Sequence, residues 1–187
     1  LEVTNGDFRA YGGSGDVTIT GDVTIANSSF FRTETSQLGA GGVNATLGSL
    51  TINSGATYGA TPLTTTITSM TSTGSGDRSL SLVSGGTFTN NSGTVLFNGG
   101  ADQRLQMAGT GNLYNLTVNK ADNEFVTFGN LTILNNLDVT LAADHTWRPN
   151  ATSDTLTVHG NTYLTTGRIN NGSTQYAGVN NWGNVTI

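Results

Sequence analysis

The sequence predicts an all-β chain, folded over residues 1–187 as a single parallel β-solenoid, and three observations carry that expectation. A short apolar–Thr–apolar motif recurs along the chain. Clusters of Gly, Asn and Ser separate its copies. The spacing settles near 20 residues, with starts at Leu116, Leu137 and Leu156 lying 21 and 19 apart. The alternative, a β-sandwich or jelly roll completed by strand donation, would call for longer strands and fewer glycines.

Composition supports the first observation. Gly (26), Thr (33), Asn (21) and Ser (15) supply 95 of the 187 residues, and all four disfavour helix interiors. Low hydrophobicity with little charge and many β-branched residues suits extended sheet, whereas disorder goes with high charge. The net charge of −5 leaves no footprint for nucleic acid or anionic lipid. Without cysteine there is no thiolate metal site, disulfide frame or thiol nucleophile. No apolar run is long enough for a membrane-spanning helix. The chain opens directly in strand-like Leu-Glu-Val-Thr, which reads as a processed chain or a segment of a longer exported one.

The elements follow in order. Val17-Thr18-Ile19, Val23-Thr24-Ile25 and Leu50-Thr51-Ile52 alternate with period two, placing aliphatics on one side and threonines on the other. Leu116-Thr117-Val118, Leu131-Thr132-Ile133, Leu156-Thr157-Val158 and Val185-Thr186-Ile187 continue the series, often entered from Asn or Asp. Glycines such as Gly85-Gly86 and Gly99-Gly100 mark the corners. Aligning Leu50, Leu116 and Leu156 predicts that Asn53, Asn119 and His159 stack as a ladder at one strand exit. Rungs of about 21 residues would number about nine, giving a rod of roughly 40 Å.

Residues Gly93 to Leu105, followed by Asn112-Leu-Tyr-Asn-Leu-Thr-Val-Asn-Lys120, resemble the repeat units of bacterial β-strand-repeat cell-surface proteins. Gly129-Asn-Leu-Thr-Ile133 and Leu137 to Leu141 resemble the next rung of that family. The likeness is close over residues 85 to 170 and loose before. It implies a right-handed parallel β-helix at the cell surface, of adhesin or stalk type. Phe30-Phe31, Thr64-Thr65-Thr66 and Ala142 to Pro149 depart from the rung pattern.

Little points to catalysis, and no enzyme and no cofactor are expected. Asp16 and Asp22 precede strands as turn residues, and Asp122 and Glu124 lie in a polar turn. Gly12-Gly-Ser-Gly-Asp16 approximates a calcium nonapeptide only once, whereas a cage needs consecutive turns. His145 and His159 lack metal-ligand spacing, and no nucleophile elbow or phosphate loop occurs. His145, Trp147 and Arg148 form the densest functional cluster, where an indole beside a guanidinium suits contact with a glycan. Sequons at Asn27, Asn44, Asn90, Asn115, Asn130, Asn150, Asn171 and Asn184 are candidates for N-glycosylation.

The expected function is that of an extracellular structural protein assembling with itself, head-to-tail or by strand pairing, into a filament, stalk or coat, with an adhesive role. Leu1, Val3, Trp182, Val185 and Ile187, on strands at the two ends, would form the assembly surfaces. The rival reading is a carbohydrate-binding or polysaccharide-cleaving β-helix.

Overall fold

A computed structural model describes residues 1–9, 15–26, 28–33, 42–71, 77–171, 174–177 and 180–186, with side chains placed as far as residue 170. The described chain contains no helix and winds through six to seven turns of a parallel β-solenoid. Each turn runs over three faces, which we call sheets I, II and III in chain order. Sheet I begins with Glu2–Thr4 and passes through residues 23–26 and 50–52. Leu80–Leu82, Gln103–Met107, Phe125–Phe128, Thr146–Pro149 and Arg168–Asn171 complete it. Sheet II stacks Asp7–Arg9, Phe30–Arg32, Thr57–Gly59 and Thr87–Thr89, and later Leu131–Ile133 on residues 156–158. Sheet III stacks residues 17–19 and 45–47, Thr64–Ile67, Thr94–Phe97, Asn115–Lys120, Leu137–Leu141 and residues 162–166.

Alternation sorts the side chains. Leu116 and Val118 point inward from Asn115–Lys120 while Thr117 is half-buried, and Leu137, Val139 and Leu141 repeat this around exposed Asp138 and Thr140. Parallel in-register pairing then stacks like on like. Ile19, Leu47, Ile67, Phe97, Val118, Val139 and Leu164 form one interior column. Phe8, Phe31, Tyr58 and Phe88 form another, with ring centroids 5.0, 5.4 and 5.6 Å apart. Each fully buried large apolar side chain contributes about 1.5–3 kcal/mol, and these columns supply most of the core. At the corner from sheet I to sheet II, Asn5, Ser28, Gly55 and Gly85 all adopt positive φ (56, 59, 76 and 84°). That left-handed corner explains the glycines there.

Three expectations change. There are six to seven turns where nine were expected, because a turn takes between 20 residues (Ala45 to Thr65) and 30 (Thr65 to Val95). At roughly 4.8 Å per turn the rod is about 30 Å long. Leu50, Leu116 and Leu156 lie on sheets I, III and II, so Asn53, Asn119 and His159 sit on three different faces and cannot stack. The polar ladder is at the entry to sheet III, through Asp16, Asn44, Thr64, Thr94, Asn115, Asn136 and Asn161. Within it Asn44 donates to Asp16 Oδ1 (3.2 Å), Asn136 N to Asn115 Oδ1 (3.2 Å) and Asn161 N to Asn136 Oδ1 (3.1 Å). Finally, Phe30-Phe31, Thr64 to Thr66 and Thr146 to Pro149 are regular strands of the stack.

Candidate functional site

The outward face of sheet I carries a cleft of about 280 Å³, lined by Arg78, Asp102, Arg104, Glu124, Val126, Phe128, Arg148 and Asn150. Strand alternation builds it. Gln103 and Leu105 point inward, so Arg104 points out; Phe125 and Thr127 point inward, so Val126 and Phe128 face the cleft. Register sets Arg104, Val126 and Arg148 in one column across three rungs. Val126 faces outward yet is only 5% exposed, so it forms a covered apolar floor between two arginines.

The guanidinium of Arg78 lies 3.6 Å from the ring centroid of Phe128. Its Nη1 donates to the Asp77 carbonyl (2.8 Å), while Nε is buried without a partner among the described residues. Burial, and then the nearby charge of Arg104, hold Arg78 below the usual arginine range. Arg148 donates through Nε (3.1 Å) and Nη2 (3.0 Å) to Glu124 Oε2. Asp102 accepts from the Glu124 amide (3.1 Å). Among the described residues, the side chain of Arg104 has no hydrogen bond or ion pair. Glu124 is thus paired with Arg148, Asp102 accepts a backbone amide, and all three arginines retain donors without a partner among the described residues.

A buried polar cluster positions the lip of this cleft. Lys120, the only lysine of the chain, is 1% exposed. Its Nζ donates to the carbonyls of Gly99 and Ala101 (both 2.6 Å) and to Gln103 Oε1 (3.4 Å). Gln103 in turn accepts from the Gly99 amide and donates to the Ile67 carbonyl (both 2.9 Å). These bonds hold the corner from residue 99 to 103 that delivers Asp102 and Arg104 to the surface. Burial lowers the Lys120 pKa, against the opposing pull of Asp102 and Asp122. Sequence alone treats Lys120 as the end of a repeat unit; its role depends on contacts 17 to 21 residues away.

Of the three residues expected to meet a glycan, only Arg148 is in the cleft. Trp147 is a correction. It is 1% exposed, packs edge-on to Phe125 at 5.2 Å, and donates Nε1 to Thr127 Oγ1 (3.3 Å), so no ring face is free for a sugar. Sheet I alternation dictates this, since Trp147 pairs with inward Phe125 and Ile169. His145 lies apart, with Nε2 3.5 Å from Asp122 Oδ1.

The sequons scatter. Asn130 and Asn150 are exposed, although Asn130 Oδ1 accepts from Thr155 N (3.1 Å) and Thr155 Oγ1 (3.0 Å). Asn90 donates to the Asn112 carbonyl (3.0 Å). Asn44 and Asn115 are half-buried ladder residues, and Asn115 Oδ1 accepts from Asn135 Nδ2 (2.9 Å) and Asn136 N (3.2 Å). Asn27, and the side chains of Asn171 and Asn184, lie outside the described residues.

At the first end, Val3 is buried and Leu1 is 45% exposed. Ile187 and the side chains of Trp182 and Val185 lie outside the described residues. Their strand, Asn180–Thr186, runs antiparallel along residues 157–164, and Thr174–Ala177 runs antiparallel to Arg168–Asn171. The open parallel rung expected at this end is therefore replaced by antiparallel pairing.

No group of three or more His, Asp or Glu side chains among the described residues is placed to hold a metal ion. Among the described residues no helix is long and apolar enough to cross a membrane. Compared with known proteins, the chain matches no family model, no curated protein and no solved structure.

Proposed function

We propose that this chain is a structural module of the extracellular cell surface, assembling through its ends into a filament, stalk or coat. The observation that carries the reading is the state of the first rung. Glu2–Thr4 and Asp7–Arg9 each have one strand neighbour among the described residues, and their other edges can take a strand of a second copy or of chain preceding Leu1. The apolar columns emerge there, with Leu1 45% and Phe8 39% exposed. An open edge over an apolar rung favours addition of another strand. The antiparallel strand Asn180–Thr186 likewise has one strand neighbour among the described residues, so strand pairing between copies fits better than simple parallel stacking. The likeness of residues 85 to 170 to β-strand-repeat surface proteins points the same way.

Light scattering across a concentration series tests this, with electron microscopy of the largest species. Growth of assemblies with concentration, reduced in Phe8→Asp, is expected. A wild-type chain that remains monomeric at high concentration would refute it.

The arginine cleft on sheet I favours a second reading, carbohydrate binding on the side of the rod. The two readings are compatible, because one uses the ends and the other a lateral face.

A further inference from the structure

We infer that the cleft formed by Arg78, Arg104, Val126 and Phe128 is a binding site for the carboxylate groups of an acidic polysaccharide. The inference rests on the carbohydrate-binding reading and specifies its ligand class.

Charge comes first. Three of the seven basic residues of a chain with net charge −5 converge on this strip of one sheet. Glu124 offsets the charge of Arg148, so the guanidiniums with no ion pair among the described residues are those of Arg78 and Arg104. Two guanidiniums close enough for one to disfavour the charge of the other are a costly arrangement in isolation. An anion between them reverses the sign of that interaction, and a planar carboxylate matches the donor fork of a guanidinium. Arg78 Nε, buried and unpaired among the described residues, is one such unused donor.

Shape selects the rest of the ligand. A bare inorganic anion has no use for the half-buried ring of Phe128, whereas the C–H face of a sugar ring has. The column Arg104–Val126–Arg148 follows the solenoid axis, so an extended chain laid across the rungs passes two arginines set two rungs apart.

Isothermal titration calorimetry with a β-1,4-linked mannuronate tetramer tests the site, with β-1,4-mannotetraose as the same backbone lacking the carboxylate. Binding of the mannuronate oligomer, weakened by salt and absent for mannotetraose, is expected. Arg104→Gln should weaken it about tenfold, in line with loss of a hydrogen bond to a charged group. The Arg104 side chain has no bond to lose among the described residues and its removal relieves repulsion with Arg78, so a melting temperature that does not fall will separate loss of the site from loss of the fold. Equal binding of both oligomers, or undiminished binding by Arg104→Gln, overturns the carboxylate assignment while leaving a carbohydrate site standing. Inorganic sulfate binding as tightly as the oligomer overturns the polysaccharide. Failure of the wild type to bind either oligomer overturns both the inference and the carbohydrate reading beneath it.

Discussion

Tyr58 shows how one polar atom is accommodated inside an apolar column. It is fully buried between Phe31 and Phe88, and its hydroxyl meets Thr33 Oγ1 at 3.3 Å and Thr65 Oγ1 at 3.2 Å. Burial pushes its pKa above the ordinary tyrosine range, and the two threonines only partly oppose this. The native chain therefore holds the proton more tightly than the unfolded chain. The associated stability is full below the ordinary tyrosine pKa of about 10 and is lost as pH rises through the native value. Lys120, whose pKa is lowered, contributes the opposite slope near the ordinary lysine value, so the wild type must be compared with Tyr58→Phe. Urea midpoints between about pH 8 and pH 11 should fall more steeply for the wild type than for the variant. At neutral pH the variant should be about 1 kcal/mol less stable, through the lost hydroxyl bonds. Parallel curves would show that Tyr58 does not govern the alkaline limb. None of this is legible locally: Thr57-Tyr58-Gly59 reads as a strand, and only the neighbouring rungs define what surrounds the ring.

At the scale of strands and corners, the sequence was legible in pattern and ambiguous in address. Apolar–Thr–apolar triplets did become strands with aliphatics inside. Because all three faces use the same triplet, matching triplets by similarity put Leu50, Leu116 and Leu156 on one face when they occupy three. The same ambiguity hid Trp147, whose inward position follows from its pairing with Phe125. Corners are more specific, since close approach of backbones leaves room only for glycine. A Cβ on Gly93 would overlap the carbonyl oxygen of Thr61, while one on Gly100 meets nothing within 4 Å. Gly93→Ala should therefore cost more than about 2 kcal/mol, whereas Gly100→Ala should stay within about 0.5 kcal/mol of the wild type. Thermal denaturation of the two variants checks the contrast, and equal shifts would contradict the packing at this corner.

The whole molecule is a one-dimensional stack, and its stability should vary along the axis accordingly. A central rung is paired on both sides, as Thr94–Phe97 is by Thr64–Ile67 and Asn115–Lys120. Glu2–Thr4 is paired on one side only among the described residues. Nearest-neighbour coupling then predicts that the first rung opens most readily. Native-state hydrogen exchange should find amides of residues 94–97 and 116–118 the most protected and those of residues 2–4 and 7–9 the least. Uniform protection along the chain would mean that the solenoid opens as a single cooperative unit.

By itself the sequence determined the class of structure: all-β, repeated, turned at glycines and asparagines, with one face of most strands largely apolar. Those properties are local, because side-chain alternation and turn chemistry depend on residues within a few positions. The tertiary structure decided which strands are neighbours, and with that the three faces, the number of turns, the polar ladder at the entry to sheet III and the core position of Trp147. It also decided the candidate site. Arg78, Arg104 and Arg148 are 26 and 44 residues apart in the chain and share no motif. They meet because parallel pairing sets Arg104, Val126 and Arg148 in one column and brings Arg78 onto Phe128 beside it. Register is a long-range quantity, set by the best stacking of the interior columns, and no short stretch of this repetitive chain contains it.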